Sequence, residues 1–190
     1  MEMKSSRTEQ NLMKAFAGES QARNRYSFYA QVAEEEGYQQ IAKVFLETAD
    51  NERVHGSVFF GMLDGGMPEL TAAYPAGPVH STVENLRAAA DGELLEWGTL
   101  YPEFADVADE EGFKRAAAAF RKAVDTEKYH ELRYRKLLAN MEQAQVFSRP
   151  ETTLWMCEEC GYVHEGTSAP KVCPLCGRPQ AYFEVYRESY

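Results

Sequence analysis

The stretches Asp50-Asn51-Glu52-Arg53-Val54-His55 and Asp125-Thr126-Glu127-Lys128-Tyr129-His130 both read Asp-x-Glu-x-x-His. At about 3.6 residues per turn, a Glu and a His three positions apart lie about 60° apart around a helix axis, so a carboxylate oxygen and an imidazole nitrogen can meet at one point beside the helix. A single such pair is commonplace on a helix surface. Here the repetition extends outward: an offset of 75 carries Gly37, Phe45, Glu52 and His55 onto Gly112, Phe120, Glu127 and His130. The acidic run Glu34-Glu35-Glu36 is likewise answered by Asp109-Glu110-Glu111, and an offset of 74 carries Gly18-Glu19 onto Gly92-Glu93. The chain therefore holds two copies of a helical hairpin.

Apolar spacing agrees with that reading. Leu12, Ala15, Phe16, Ala22, Tyr26, Tyr29, Ala30 and Ala33 recur at three and four, the period of a core-facing helix, and Glu19 falls on the same stripe. After a break at Gly37, Ile41, Val44, Phe45, Thr48, Phe59 and Met62 define a second helix, antiparallel to the first because the connection is short. Residues 64–80 hold Gly65-Gly66, Pro68, Pro75 and Pro78 and read as a crossover loop. Ser81-Thr82-Val83-Glu84 supplies a capping box for a third helix, whose inner face carries Leu86, Ala89, Ala90, Glu93, Glu96, Trp97, Leu100, Phe104 and Val107, with Pro102 a candidate kink. Gly112 opens the fourth. Hairpin, long crossover, hairpin is the connectivity of a ferritin-like four-helix bundle, expected over residues 1–146.

Residues 147–152, Phe-Ser-Arg-Pro-Glu-Thr, read as a linker, and 153–190 as a separate module without apolar periodicity. That module holds all 4 cysteines, as Cys157-x-x-Cys160 and Cys173-x-x-Cys176. Disulfides are a poor reading of this spacing, whereas a four-thiolate metal site fits it and would let so short a segment fold. On spacing alone zinc and iron are equally served.

At 190 residues the chain holds one medium domain and a small appendage. A net charge of −10 without basic blocks gives no electrostatic footprint for nucleic acid. No run approaches the length of a membrane span and the first residues lack a signal-like apolar core, so a cytoplasmic protein is expected. His80 and His164 sit in turn or polar sequence and are expected at the surface or in loops.

Glu19, Glu52, Glu93, Glu96 and Glu127 occupy positions where a bundle would place Leu or Ala. Buried unpaired carboxylates cost several kcal/mol each, roughly, and cations remove that penalty. One Glu from each of two helices and Glu-x-x-His from the other two is the ligand set of di-metal carboxylate bundles, with one additional Glu here, and hard oxygen donors with two imidazoles favour iron or manganese, iron being preferred. Tyr26 and Tyr101 follow Glu19 and Glu93 at helical spacing and are candidates to hydrogen-bond ligating carboxylates, though core packing explains them as well.

These motifs together, over nearly the whole chain, resemble the rubrerythrin family, a ferritin-like di-iron bundle followed by a rubredoxin-like domain. The resemblance implies di-iron ligands Glu19, Glu52, His55, Glu93, Glu96, Glu127 and His130, and mononuclear iron on Cys157, Cys160, Cys173 and Cys176. It further implies a cytosolic peroxidase that reduces hydrogen peroxide to water in protection against oxidative stress. An electron-donor protein, rubredoxin or an NADH-dependent reductase, would supply it. The resemblance also implies a homodimer in which one subunit's rubredoxin-like domain lies beside its partner's di-iron centre, and an exchange of Glu96 for His55 on reduction. Two other functions share these residues: iron oxidation and storage in the bundle, or electron carriage with the bundle as scaffold.

Overall fold

The computed structural model describes residues 2–188. Helices α1 (Arg7–Glu35) and α2 (Gln39–Phe60) form the first hairpin. The third rod is α3 (Thr82–Leu95) followed by a π-helical turn, Glu96–Leu100, and then α4 (Tyr101–Glu110), and α5 (Lys114–Glu142) closes the bundle. Residues 61–81 cross between the halves outside helical structure. The capping box is present: the Ser81 hydroxyl accepts from Glu84 N–H and the Glu84 carboxylate accepts from Ser81 N–H. Among the described residues, no helix is long and apolar enough to cross a membrane.

The duplication is visible in hydrogen bonds. Gly37 and Gly112 adopt φ of +83° and +84°, a conformation open to glycine without a Cβ penalty. Each ends its helix in the same way, Gly37 N–H donating to Glu34 O and Tyr38 N–H to Ala33 O, Gly112 N–H to Asp109 O and Phe113 N–H to Ala108 O. The last acid of each hairpin corner then caps a helix of the other half. Glu111 Oε2 accepts from Thr8 N–H at 2.8 Å at the start of α1, and Glu36 Oε2 accepts from Thr82 N–H at 3.1 Å at the start of α3.

Two apolar clusters fill the bundle. Tyr26, Tyr29, Phe45, Leu86, Tyr134 and Leu138 anchor one, while Leu12, Phe59, Tyr101, Phe104 and Phe120 anchor the other. Buried alanines on every helix let the rods approach closely. The layer between the clusters is neither apolar nor empty: it is where the acidic residues lie.

Beyond α5, strands β1 (Ser148–Cys157), β2 (Val163–Ser168) and β3 (Phe183–Val185) form an antiparallel sheet in the order β2-β1-β3. β1 begins inside the stretch expected as a linker, with Ser148 opposite Ser168. Pro150, which cannot donate to a ladder, falls in the irregularity between Ser148 and Thr153. Buried Trp155, Cys157, Cys173 and Phe183 make the small core. The module rests on the α1–α2 corner through Lys43 Nζ to Glu158 at 2.8 Å, Gln40 Nε2 to Glu184 at 3.1 Å and a Tyr38–Phe147 stack at 6.0 Å.

Gly112 has open space around the position of a Cβ, so Gly112→Ala tests the backbone requirement alone. The expected outcome is a loss of about 1 kcal/mol, read as a fall of roughly 2–4 °C in melting temperature, with metal content unchanged. An unaltered melting temperature would show that the positive φ is not demanded there.

Candidate metal centres

Between the two apolar clusters Glu19 of α1, Glu52 and His55 of α2, Glu93 of α3, and Glu127 and His130 of α5 turn their heads to one another. The four carboxylates and His130 are buried and His55 is half-buried. His55 Nδ1 lies 2.8 Å from Glu52 Oε2, 3.0 Å from Glu127 Oε1 and 3.9 Å from Glu19 Oε1. His130 Nδ1 lies 2.7 Å from Glu127 Oε2, 3.2 Å from Glu52 Oε1 and 3.7 Å from Glu93 Oε2. Two four-residue sets result, and Glu52 and Glu127 belong to both. Each of these two gives one oxygen to either side, the geometry of a bridging carboxylate.

The donors themselves test whether metal belongs here. Glu19 Oε2, Glu93 Oε2, both carboxylate oxygens of Glu52 and of Glu127, and Nδ1 of His55 and His130 are buried with no hydrogen-bond partner. So many orphaned groups in one dry layer would be costly, and cations beside both sets satisfy all of them. Oxygen and imidazole donors in this number suit iron.

Without metal the layer retains protons. Burial, then the charge of Glu52, pushes Glu93 up to about 8 despite its contact with His130. Burial and neighbouring carboxylates hold Glu19 and Glu96 well above the usual range. Burial opposes charge on the imidazoles, but close pairing with Glu127 and Glu52 outweighs it, raising His55 to about 10 and His130 to about 12. Glu52 is the exception: burial is outweighed by its two imidazole partners, and it falls to about 2.

Tyr26 and Tyr101 both reach the carboxylates, but each crosses to the other half. The Tyr26 O–H donates to Glu93 Oε1 at 2.5 Å, and the Tyr101 O–H donates to Glu19 Oε1. Burial first, then the adjacent carboxylate, raises both phenols well above their ordinary range, so they remain donors. Asn51, which no sequence pattern marks as functional, has its Nδ2 3.4 Å from His130 Nε2. Only its position beside Glu52 in the repeated motif could have drawn attention to it.

Glu96, expected as a seventh ligand, lies in neither four-residue set and is half-buried. It opens the π turn, in which Tyr101 N–H bonds Glu96 O five residues back, so this turn takes one residue more than an α-helical one. The sequence carries that signal. The repeat offset is 74 at Glu19 and Glu93 but 75 at Tyr26 and Tyr101, and the slip of one falls across Glu96–Leu100. His80 is exposed and His164 half-buried on β2, and neither joins a metal-ligand group among the described residues.

In the small module the four thiols lie with their sulfurs within 4.8 Å of one another and form no disulfide. Two matching turns hold them: Gly161 N–H donates to Cys157 O at 2.8 Å and Gly177 N–H to Cys173 O at 3.0 Å, both glycines at φ +74°. Backbone amides of Cys176 and Leu175 favour the Cys173 thiolate against burial and draw it down to about 7. Four converging sulfurs in such turns fit one tetrahedral metal ion.

The fold and the two donor sets define a di-iron carboxylate bundle with an appended four-cysteine iron module. The family model for rubrerythrin matches residues 10–138, and that for the rubrerythrin rubredoxin-like domain matches residues 155–184. The chain is 56% identical to rubrerythrin of Porphyromonas gingivalis, covering 99% of this chain and 94% of that protein. It is 47% identical to rubrerythrin of Nitratidesulfovibrio vulgaris over 96% of both chains. Among solved structures it is similar to the fully reduced, all-ferrous state of nigerythrin, with a TM-score of 0.65, 32% identity and coverage of 96% of this chain and 91% of that one. The chain belongs to the rubrerythrin family. Its cofactors are a non-haem di-iron centre and a mononuclear iron on four cysteines.

The raised carboxylates and imidazoles give the metal-free chain a definite pH response. Glu93, Glu19 and Glu96 bind protons in the folded state that the unfolded chain releases above about 4.5, and His55 and His130 do so above about 6.5. Their stabilisation is complete at low pH and is lost as pH rises, while the contribution of Glu52 is constant above its unfolded value. The urea midpoint of chelator-treated protein is therefore expected to fall steadily from pH 5 to pH 9. Iron-loaded protein should show no such fall, because metal displaces the same protons. A midpoint that rises over this range without metal would contradict the arrangement.

Proposed function

We propose that this chain reduces hydrogen peroxide to water, drawing electrons through its four-cysteine iron. The observation that carries the reading is the pair of four-ligand sets sharing Glu52 and Glu127, in one chain with a site suited to one-electron transfer. Converting H2O2 to two waters takes two electrons and two protons, and an iron pair supplies the two electrons at one place.

The residues prepare that centre. Glu52 and Glu127 fix the separation of the two sets, since each spans both with its own two oxygens. Tyr26 and Tyr101 occupy the second oxygens of Glu93 and Glu19 and limit their rotation. The two apolar clusters exclude bulk water above and below. Glu96, alone among the expected ligands in lying outside both sets yet close enough for its charge to act on Glu19, is the residue placed to exchange with His55 on the Glu19 side. Four cysteines given to a metal rather than to disulfides fit a reducing compartment, the cytoplasm, and an electron-donor protein such as rubredoxin or an NADH-dependent reductase would refill the relay.

A homodimer would shorten the path between the two metal sites. In its own chain the small module touches α2 at Gln40 and Lys43, and Glu52 lies nine residues further on, roughly 13 Å of helix rise. A partner subunit's module seated on the faces of α2 and α5 would come closer. Val54, Val58, Tyr129 and Leu132 are exposed there and offer the apolar surface it would cover.

Glu127→Ala removes a ligand of both sets and is expected to abolish peroxide turnover while leaving the absorption of the four-cysteine iron intact. Cys176→Ser should bleach that absorption and stop turnover from a protein donor, yet leave the di-iron centre open to chemical reduction. Peroxide-dependent oxidation of the donor is the measurement. Persistent turnover in Glu127→Ala would defeat the reading, and oxygen-driven accumulation of ferric mineral without peroxide turnover would favour storage.

A further inference from the structure

A cavity of about 470 Å³ opens between α1, the π turn and the crossover, where Tyr74 covers it by donating its O–H to Lys14 O at 2.8 Å. Its lining includes Glu96, Tyr101 and Arg25. Arg25 reaches it across α3 at Gly92, where the guanidinium packs on the helix at contact distance, its Nη2 3.8 Å from where a Cβ would sit. Gly92 lies one turn before Glu96, which places the cation and the carboxylate on neighbouring turns of the same wall. The Arg25 Nε is buried with no hydrogen-bond partner, and the guanidinium lies 5.6 Å from the centre of the Tyr26 ring. Burial and the charges of Glu93, Glu127 and Glu52 disfavour ionised Glu96, while Arg25 favours it.

A half-buried cation with an unused donor and a carboxylate outside the ligand sets thus share one chamber. We propose that Arg25 is the partner of Glu96 when that carboxylate is away from the metals, a positioning residue that sets how Glu96 divides between the centre and the cavity. The inference rests on the di-iron reading and goes further in assigning the off-metal position a holder. Its direction follows from charge. The more oxidised centre carries more positive charge and draws Glu96 inward, and Arg25 opposes that withdrawal. Removing Arg25 should favour the oxidised centre.

The test is a spectroelectrochemical titration of iron-loaded, full-length protein in four forms: wild type, Arg25→Gln, Glu96→Gln, and the double variant. Arg25→Gln is expected to shift the oxidised-to-reduced ratio of the di-iron centre at fixed potential about tenfold toward oxidised, with the four-cysteine couple unmoved as internal control. In the Glu96→Gln background the same substitution should lose most of that effect. Arg25→Lys, which keeps the charge but loses the planar fork, should fall between, and it replaces Arg25→Gln in the cycle should the latter fail to load iron. Equal shifts in both backgrounds would mean that Arg25 acts by charge alone and would overturn the proposal, as would no shift at all. Wild-type protein without peroxide turnover would defeat the functional reading separately, since the potentials remain measurable.

Discussion

Everything in the bundle is arranged around four buried carboxylates and two imidazoles with eight donor atoms lacking hydrogen-bond partners. A helical protein of this size ordinarily fills such a layer with Leu and Ala. Here the apolar packing is divided into two clusters, and neither alone would hold four helices in register through the acidic layer between them. The clusters supply the hydrophobic stabilisation, the metals remove the electrostatic penalty, and the two are interdependent. Iron binding is therefore part of the folding free energy of the middle of the bundle as well as the source of its chemistry.

The duplication explains how a single chain makes two nearly equivalent sites. Each half contributes a Glu-x-x-His from its second rod and a Glu from its first, and the shared carboxylates Glu52 and Glu127 join the halves through their opposite oxygens. The crossed tyrosines do the same one layer out, Tyr26 bonding a carboxylate of the second half and Tyr101 one of the first. Crossed caps from Glu36 and Glu111 repeat the device at the bundle ends. A hairpin that shifted relative to its twin would break all three sets of contacts together.

Much of this was legible in the sequence because periodicity and repetition are properties of the chain itself. The Glu-x-x-His pairs, the stripe carrying Glu19 and Glu93, the glycine corners and the Cys-x-x-Cys pairs each have a local spacing fixed by helix or turn geometry, and the structure brings these groups together as the spacing requires. What was not legible depends on contacts between elements. That Tyr26 bonds Glu93 rather than Glu19 is decided by which rods are neighbours at that height. Asn51 and Arg25 are polar residues on partly exposed helix faces, where composition does not distinguish a solvated side chain from one turned toward a buried site. The π turn lies between these cases: its signal, a change of repeat offset from 74 to 75, is in the sequence, but only an observed ladder shows how the extra residue is accommodated.

That extra residue gives the symmetry its limit. A perfect duplicate would place the same ligands around both metals and give neither a position that differs from the other. The inserted turn in the third rod starts at Glu96, which has no acidic counterpart in α1, and it sets that carboxylate on a wall open to a cavity. The same insertion restores register beyond it, so that Tyr101 lies where Tyr26 lies in the first half and can lock Glu19. One residue thus distinguishes the two sides of the centre without disturbing the bonds that keep both in place. A fixed frame on one side and an open wall on the other is the asymmetry on which the proposed exchange of Glu96 rests.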